Sequence, residues 1–556
     1  MQRNNWYEQV RRDTLSLIGL KSVSPGVGEV AQAEEIFRLL CLDEARGGYT
    51  EHGLDALERD QYGRQNVFAF IRGKSPATVV LLGHFDTVDT VEYGDLAELA
   101  LLPEQLSALP DIQERLTRGF APFEDENAQD WLFGRGTADM KTGVAVHIAL
   151  MRYYARKAQI EPLPISLIFL ATPDEENESA GVLQATQLLL KLREQYGLNY
   201  LGLLNTDYTT ALYPGDPHRY IYSGSVGKLL PAFLCLGRES HVGDPFKGLD
   251  ANLLAAELIR DLSMNDALCD SARGQVTAPP VTLHASDLKD HYDVQLPFAA
   301  HFYVNVLTLT TGPAELLERL QARARIVLTE AVERIAAAER RWRQSSGQQV
   351  DGREVVAATP LVLSYQELYS QVVRMLGAQR VEEELEVVWR RLPEGMDSRE
   401  RSLQLVRRLW TLSEGRGPAL VIYYAPPYYP HVAAAAGPFQ EAIEVVVAEH
   451  PEQQFVVREF YPYLSDMSYM RLEPGTNVEA LKENMPLWRS EEERLPGAYH
   501  LPLETIRQLN IPVVNWGIYG RGAHQRDEGV LMSYSFGTLP QLLHETIEKL
   551  AEMSHR

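Results

Sequence analysis

Side chains that can bind metal ions or move protons follow several apolar stretches of this sequence. The apolar run "ISLIFL" (165–170) leads directly into "ATPDEENES", where Asp174, Glu175 and Glu176 are adjacent. Carboxylates this close together repel one another unless positive charge lies beside them. The sequence therefore predicts a cation next to this acidic segment.

Three further segments carry residues of the same kinds. His84 and Asp86 follow "TVVLLG", Asp207 follows "LGLLNT", and Asp139 lies in the glycine-rich segment "GRGTADMKTG" before a predicted helix. In an open α/β sheet, ligands bind beyond the carboxyl ends of the parallel strands, so we expect these side chains to converge on one crevice. Imidazole and carboxylate ligands without cysteine suit zinc, manganese or cobalt.

Each of these signals has an ordinary explanation when it is taken singly. A histidine after a strand is often a loop residue, and an acidic run often begins a helix, where carboxylates interact favourably with the dipole. The glycine-rich segment has neither the GxGxxG nor the GxxxxGK[ST] spacing of phosphate-binding loops. The GxSxG elbow of a serine hydrolase does not occur in the sequence. Four separate segments that all carry ligand-type residues favour a metal centre.

The segments between these residues predict a mixed α/β fold. Residues 77–86, 165–172 and 200–207 are apolar and rich in β-branched or aliphatic side chains, as expected of strands that are buried on both faces. Residues 143–157 and 180–196 are predicted to be helices. This alternation predicts a mostly parallel sheet sandwiched by helices.

The pattern changes near Ser223, after which long strands and two helices predict a smaller α+β unit. The polar stretch 343–354 is the best linker candidate, and α/β alternation resumes after it. We therefore expect a catalytic domain formed by residues 1–225 and 346–556, interrupted by an inserted domain at 226–345.

Composition and charge exclude several classes of partner. The 556 residues include 53 basic and 76 acidic side chains, and the formal net charge of −23 argues against nucleic acid or an anionic membrane as a partner. Three widely spaced cysteines indicate no disulfide framework. The N-terminal segment is charged and no long apolar run occurs, so we expect a cytoplasmic protein without a signal peptide or a transmembrane helix.

The segments "GHFDTV", "GRGTADMKTG" and "PDEE", in this order and spacing, resemble the M20 metallopeptidase family of aminoacylases, dipeptidases and related amidohydrolases. The segment "NTD" (205–207) matches the next ligand position of that family. The segment "WGIYGRGAHQRDEGV" (516–530) resembles its C-terminal motif, in which a histidine precedes an acid. The resemblance implies a zinc-peptidase-like catalytic domain, an inserted lid or dimerisation domain, and two divalent metal ions, with zinc as the default and manganese or cobalt as alternatives.

The resemblance also implies a set of metal ligands. Asp139 would bridge the two metal ions. The other ligands would be His84 and Asp207 at one metal ion, and Glu176 and His524 at the other.

Further roles follow from the same resemblance. Glu175 would be the general base, and Asp86 would hold the second imidazole nitrogen of His84 and so fix its tautomer. His241, in "GRESHVGDPFKG", would help to hold the oxyanion, although a turn histidine fits the same segment. Asn305 is either a substrate-binding residue or a structural amide.

Asp466 and Ser468, in "SDMSY", match a family motif near the cleft and are candidate substrate residues. The segments "YPYLSDMSYM" and "ENMPLW" and the unusual length resemble an arginine-utilisation branch of the family.

The implied activity is hydrolysis of an amide-type C–N bond in a small molecule or a short peptide. Two nearby cations would acidify a water molecule and polarise the carbonyl group, and a glutamate that is not a ligand would move the proton. Candidate substrates are N-acyl amino acids, short peptides and N-carbamoyl compounds such as citrulline, with a place in arginine, citrulline or ornithine catabolism. The alternative is a non-catalytic member that binds a metal or metabolite and acts through a partner. A homodimer is expected from the lid.

Three features depart from the family pattern. Thr142 stands where the pattern "DMKGG" has a glycine, next to the predicted bridging acid. Predicted helices at 364–391 and 398–412 have no counterpart in ordinary members. The arginine with which many members bind a substrate carboxylate has no clear equivalent, which leaves the substrate class open.

Overall fold

The computed structural model describes residues 6–110, 112–117, 128–347, 359–393, 395–415, 417–489 and 498–554. Most of the predicted linker, residues 348–354, lies outside these described residues.

The described strands, in chain order, are β1 (Glu51–Ala56), β2 (Gln65–Ile71), β3 (Ala77–His84), β4 (Trp131–Phe133), β5 (Ser166–Thr172), β6 (Asn199–Asn205), β7 (Arg219–Tyr222), β8 (Gly227–Leu229), β9 (Pro231–Leu236), β10 (Ser271–Ala272), β11 (Gln275–Val276), β12 (Val281–Asp287), β13 (Ala299–Thr308), β14 (Leu361–Ser364), β15 (Ala419–Tyr424), β16 (Phe455–Arg458), β17 (Val513–Asn515), β18 (Gly520–Arg521) and β19 (Gly529–Leu531).

The described α-helices are α1 (Trp6–Ile18), α2 (Gly28–Leu40), α3 (Pro103–Ser107), α4 (Ile112–Thr117), α5 (Lys141–Ile160), α6 (Ala180–Tyr196), α7 (Ala251–Leu262), α8 (Pro313–Ser346), α9 (Tyr365–Leu376), α10 (Ala378–Arg391), α11 (Ser398–Leu412), α12 (Pro438–Glu449), α13 (Glu479–Glu483), α14 (Leu503–Leu509) and α15 (Leu539–Met553). Within the described part of the chain, none of the helices combines the length and the hydropathy that a membrane crossing needs.

The chain forms two compact units. The first unit comprises Met1–Val226, Pro430–Glu473 and Pro502–Arg556, and the second comprises Gly227–Tyr429 and Pro474–Leu501. The prediction that the inserted domain ends at residue 345 is wrong, because the second unit continues well beyond α8 and takes up a further segment near residue 480.

An eight-stranded sheet, in the order β1-β2-β5-β3-β6-β17-β7-β16, forms the centre of the first unit. Strands β5, β3, β6 and β17 run parallel to one another, whereas β2 is antiparallel to both of its neighbours. Every residue of β3 and β5 is buried, which explains their continuous apolar sequences. The predicted mixed, mostly parallel sheet with flanking helices is confirmed.

Helix α5 packs closely against the end of β6. Most of its residues are buried, and Val144 and Ile148 share one apolar cluster with Leu81 and Phe169 of the sheet. A Cβ atom at Gly143 would lie only 2.4 Å from the carbonyl oxygen of Thr206, so a glycine is required at this approach. The contact brings the segment before α5 to the carboxyl edge of the sheet.

A smaller sheet of three antiparallel strands, in the order β18-β19-β4, completes the first unit. Because β4 directly precedes the glycine-rich segment "GRGTADMKTG", this sheet joins that segment to the C-terminal motif. Residues that are far apart in the sequence are therefore adjacent in this part of the fold.

The second unit is built on a sheet in the order β12-β13-β9-β15-β14, with β8 also paired to β13. Strand β15 pairs antiparallel with β9, and β14 pairs parallel with β15, so strands from beyond residue 345 complete this sheet. The apolar sequence of β15 is typical of a strand, but a pattern does not specify which sheet a strand joins. This is the physical reason for the misplaced boundary.

The predicted helix at 364–391 is two helices. The Ser364 hydroxyl accepts the N–H of Glu367, and the Glu367 carboxylate accepts the N–H of Ser364, which starts α9 with a capping box. Gly377 separates α9 from α10 and has a φ of +83°, a conformation that favours glycine. The predicted helix at 398–412 is α11, whose first turn is capped by Asp397.

His147 is a fully buried residue of α5 in the core of the first unit. Neither ring nitrogen has a hydrogen-bond partner among the described residues, and the ring meets Phe169 edge-on. Burial lowers its pKa from the ordinary 6.5 to about 3. The folded protein therefore keeps this imidazole neutral at pH values where an unfolded chain binds a proton.

We expect His147→Leu to make the fold less sensitive to acid. Between pH 6.5 and pH 3 only the unfolded state gains a proton at this residue, so stability falls as the pH falls. Between pH 7 and pH 5 this loss amounts to about 2 kcal/mol in the free energy of unfolding. Urea titrations at pH 7 and pH 5 should show that the free energy of unfolding falls by about 2 kcal/mol less in the variant than in the wild type. Substitution of the exposed His291 by leucine is the control, and equal losses in wild type and His147→Leu would contradict the expectation.

Candidate metal centre

Three neighbouring parallel strands end at one edge of the large sheet. Strand β3 ends at His84, opposite Thr172 at the end of β5, and β6 ends at Asn205 on the other side of β3. Asp86, the acidic pair after β5 and Asp207 each follow one of these ends within four residues. The register of the sheet thus gathers the acidic and imidazole side chains that were predicted to converge.

Asp139 lies between two histidines. Its Oδ1 atom is 3.0 Å from His84 Nε2, and its Oδ2 atom is 3.2 Å from His524 Nε2. The Nε2 atom of His524 is also 2.9 Å from Glu176 Oε1. One carboxylate therefore contacts two imidazoles that come from opposite ends of the chain.

Two groups of possible ligands share Asp139. One consists of His84, Asp139 and Asp207, and the other of Asp139, Glu176 and His524; within each group the ligand atoms lie within 4.8 Å of one another. Ligands of one tetrahedral zinc ion lie roughly 3.4 Å apart, given metal–ligand distances of about 2.1 Å. The nitrogen and oxygen donors and their spacing therefore fit two divalent cations.

The electrostatics of these groups favour positive charge. Burial, followed by repulsion from Asp139, raises the pKa of Asp207 well above its ordinary value, and the same two causes raise the pKa of Glu176. Burial opposes protonation of His524, but its hydrogen bonds with Asp139 and Glu176 raise the pKa to about 11. The carboxylates thus favour a positive charge at the imidazole nitrogens, whether a proton or a metal ion supplies it.

Asp86 supports the site with both its backbone and its side chain. Its carboxylate oxygens accept the N–H groups of Glu175 and Glu176 at 3.1 and 3.0 Å. Its carbonyl oxygen is 3.2 Å from His84 Nδ1, whereas the nearest carboxylate oxygen is 3.6 Å from that atom. The main-chain oxygen of Asp86 is therefore closer to the second imidazole nitrogen of His84 than its carboxylate is.

Glu175 belongs to neither group of ligands, although it precedes Glu176 directly. Its Oε2 atom is 4.0 Å from His84 Nε2. Burial raises its pKa well above the ordinary value, and the neighbouring Glu176 adds to the effect. A carboxylate of this kind can accept and hold a proton at the edge of the site.

Glu528 is a supporting residue that was not predicted from the sequence. It is fully buried, and its Oε1 atom accepts the N–H groups of Ala138 and Asp139 at 3.0 and 3.1 Å. Its other oxygen pairs with the buried Arg135. The only sequence signal for Glu528 is the family pattern of a histidine followed by an acid. That pattern does not distinguish Glu528 from the neighbouring Asp527, which pairs with Arg521 instead.

Asp466 and Ser468 both belong to the first unit and are buried. The Thr172 hydroxyl donates to Asp466 Oδ2 at 2.8 Å, while Asp466 Oδ1 has no hydrogen-bond partner in the described part of the chain. Asp466 also contributes to the raised pKa of Glu175. The Ser468 hydroxyl lies 2.8 Å from that of Ser225, a structural contact. Their role in substrate binding stays a prediction.

His241 and Asn305 belong to the second unit. His241 is exposed, its Nδ1 atom accepts the N–H of Gly243 at 3.0 Å, and its backbone pairs with Gln295. Asn305 is partly buried on β13, where its backbone pairs with Val281 of β12. The roles expected for both residues stay predictions.

Comparison with known proteins identifies the family. Residues 80–478 match the model of peptidase family M20/M25/M40, and the chain belongs to this family. It is therefore a metal-dependent hydrolase of the M20 type.

The chain is similar over nearly its whole length to two proteins of Bacillus subtilis (strain 168). It is 32% identical to protein RocB, covering 98% of this chain and 95% of RocB. It is also 32% identical to the uncharacterized protein YqjN, covering 97% of this chain and 96% of YqjN. The resemblance to the RocB branch is confirmed by these matches.

Solved structures support the fold. Aminopeptidase PepT from Bacillus cereus superposes with a TM-score of 0.50 at 12% identity, covering 98% of this chain and 99% of PepT. The dipeptidase Dug1p from Saccharomyces cerevisiae gives the same score and identity, covering 98% of this chain and 96% of Dug1p.

The sharing of Asp139 leads to a prediction about metal content. We expect Asp139→Ala to lose both metal ions, because this carboxylate is common to the two groups, and Asp207→Ala to lose only one. Metal content of the purified proteins, measured by mass spectrometry of the elements after dialysis against zinc, distinguishes the two variants. Two metal ions per chain in Asp139→Ala would contradict the shared position.

Proposed function

We propose that this hydrolase cleaves an amide-type C–N bond of a small substrate, namely an N-acyl amino acid, an N-carbamoyl amino acid or a short peptide. The observation that carries the proposal is the position of Glu175, a buried carboxylate beside both ligand groups that belongs to neither. A protein that only bound a metal ion would gain nothing from a glutamate outside the ligand groups at this place.

The proposed centre would take two divalent metal ions. His84 and Asp207 would hold one of them, Glu176 and His524 would hold the other, and Asp139 would be common to both. Zinc is the default, and manganese or cobalt would satisfy the same ligands. When bound, the two cations acidify a water molecule and polarise the substrate carbonyl.

The protein groups carry out the proton transfers. Glu175 takes a proton from the attacking water molecule while the oxygen of that water molecule bonds to the carbonyl carbon. As the C–N bond breaks, Glu175 returns this proton to the leaving nitrogen, so that an acid and an amine are formed. Asp86 supports this chemistry by accepting the N–H of Glu175, which fixes the backbone from which the base projects.

Three similarities support the choice of substrates. Part of the chain is 32% identical to the succinyl-diaminopimelate desuccinylase of Wolinella succinogenes over 187 residues, 31% of this chain and 47% of that enzyme. That name describes removal of an acyl group from an amino acid. The full-length similarity to RocB and the segments "YPYLSDMSYM" and "ENMPLW" favour arginine, citrulline or ornithine catabolism. Citrulline and N-acetylornithine are therefore the first substrates to test.

We expect Glu175→Ala to keep its metal ions and to lose turnover by about 100-fold or more, because general-base catalysis contributes a factor of this size. The assay measures amine released from citrulline, N-acetylornithine, other N-acyl amino acids and dipeptides in the presence of zinc, manganese or cobalt. Glu161→Ala, at an exposed acid just after α5, is the control.

Turnover of Glu175→Ala within a few-fold of the wild type would contradict the assigned base. An absence of turnover in wild-type protein that holds two metal ions would favour the alternative, a non-catalytic member that binds a metal ion or a metabolite and acts through a partner.

We further propose that the second unit forms a homodimer through strand β12. This strand lies at the edge of its sheet, and six of its seven residues are exposed. The side chains of Leu283 and, in the following loop, Tyr292 are 55% and 89% exposed. An exposed edge strand with apolar side chains favours pairing with the same strand of a second copy.

Light scattering coupled to gel filtration tests this association. We expect wild-type protein to be a dimer and Leu283→Lys to be a monomer, because a charge at a sheet edge opposes pairing. Val276→Lys is the matched control, since Val276 is also an exposed aliphatic residue but lies on the short strand β11. A monomeric wild type would contradict the proposal.

A further inference from the structure

The loop between β5 and α6 carries both glutamates of the site and has an unusual backbone. Asp174 and Ser179, at the two ends of its acidic turn, have φ values of +74° and +56°. Residues other than glycine rarely adopt this left-handed conformation, so the surrounding contacts must hold it. The positions of Glu175 and Glu176 therefore depend on what fixes Asp174.

Asp174 is fixed by hydrogen bonds on every polar atom. Its carboxylate accepts the Ser24 hydroxyl at 3.1 Å and the N–H of Ala180 at 3.1 Å. Its own N–H donates to Glu29 Oε1 at 2.9 Å, and its carbonyl oxygen accepts the N–H of Ser179 at 2.6 Å. This arrangement closes the turn but places two buried carboxylates, Asp174 and Glu29, beside each other.

The guanidinium group of Arg64 supplies the compensating charge. This side chain is buried, and its Nη1 atom pairs with Asp174 Oδ1 and lies 3.5 Å from Glu29 Oε2. Its Nε and Nη2 atoms donate to Asp60 Oδ1 at 3.0 and 2.8 Å. The planar guanidinium group thus faces three carboxylates at once, and the compact ammonium group of a lysine cannot reproduce this arrangement.

Arg64 is attached to the sheet next to the loop that it holds. It directly precedes β2, and β2 pairs with β5, the strand that leads into Asp174. The Arg64 backbone N–H also donates to Asp60 Oδ2 at 2.7 Å, so the arginine and its carboxylate partner are fixed together. The guanidinium group is therefore attached to a well-fixed part of the backbone, from which it can hold the turn.

We propose that Arg64 is a positioning residue, which holds Asp174 and thereby sets where Glu175 and Glu176 stand relative to the metal centre. The role rests on the proposed function, in which Glu175 is the base and Glu176 is a metal ligand. Arg64 acts on both glutamates through the turn that carries them.

The test compares Arg64→Ala with Arg152→Ala. Arg152 is a matched control, because it is an equally buried arginine of the first unit that pairs with the buried Asp13. Both variants lose a buried ion pair and the stability that goes with it. Only the Arg64 variant removes the support of the acidic turn.

In Arg64→Ala we expect kcat to fall about 100-fold while KM changes little, since small displacements of catalytic groups have effects of this size. Metal affinity at the group that contains Glu176 should weaken about 10- to 100-fold, while the group that contains Asp207 keeps its ion. Guanidinium ion added at millimolar concentration should restore part of kcat. Arg64→Lys should show the same losses of kcat and metal affinity as Arg64→Ala. It is the variant to measure if the alanine variant does not fold.

Hydrogen exchange of the metal-free protein provides a readout that needs no activity. We expect faster amide exchange in residues 173–180 in Arg64→Ala and in Arg64→Lys, but not in Arg152→Ala. Equal exchange in this segment in all four proteins, or unchanged kcat and metal content in folded Arg64→Ala, would overturn the positioning role. Wild-type protein that neither binds two metal ions nor cleaves any substrate of the panel would contradict the proposed function instead.

Discussion

The concentration of buried negative charge at one edge of the large sheet is the constraint on which the rest of the first unit depends. Asp139, Glu175, Glu176 and Asp207 are gathered beside two imidazoles. Burial raises the pKa of Glu175, Glu176 and Asp207, whereas at Asp139 the hydrogen bonds with His524 and His84 outweigh burial and lower the pKa. Such a cluster is costly unless cations neutralise it. The geometry is therefore understandable as a metal centre and difficult to explain as a purely structural feature.

Much of the first unit could be predicted from the sequence because its signals are local. Continuous apolar strands such as β3 and β5 must be buried on both faces, and polar residues at their ends must then meet at one edge. The boundary of the second unit could not be predicted, because β14 and β15 have ordinary strand patterns that do not reveal their partner. Hydrogen-bond partners across the chain decide sheet membership, and a single sequence does not contain them.

The supporting residues of the site were harder to predict than the candidate ligands. Glu528 accepts the backbone N–H of Asp139 from 389 positions away in the chain, and Asp527 beside it has an unrelated partner. An acid that accepts backbone N–H groups and an acid proposed as a metal ligand can be the same residue type, as Asp86 and Asp139 are. The surrounding atoms distinguish the two kinds of acid. The carboxylate oxygens of Asp86 and Glu528 face N–H groups, whereas those of Asp139 face imidazoles.

The two adjacent glutamates make different contacts, and the carboxylate of Asp86 contributes to this difference. Each oxygen of Asp86 accepts one of the two consecutive N–H groups, which fixes the peptide between Glu175 and Glu176. With the backbone held, the Glu176 side chain reaches His524 at 2.9 Å, and that of Glu175 stays 4.0 Å from His84. This difference is what the proposed function needs, because it assigns Glu176 as a metal ligand and Glu175 as the base. In that proposal, a looser turn would let both carboxylates approach the same cation and would leave neither in place as the base.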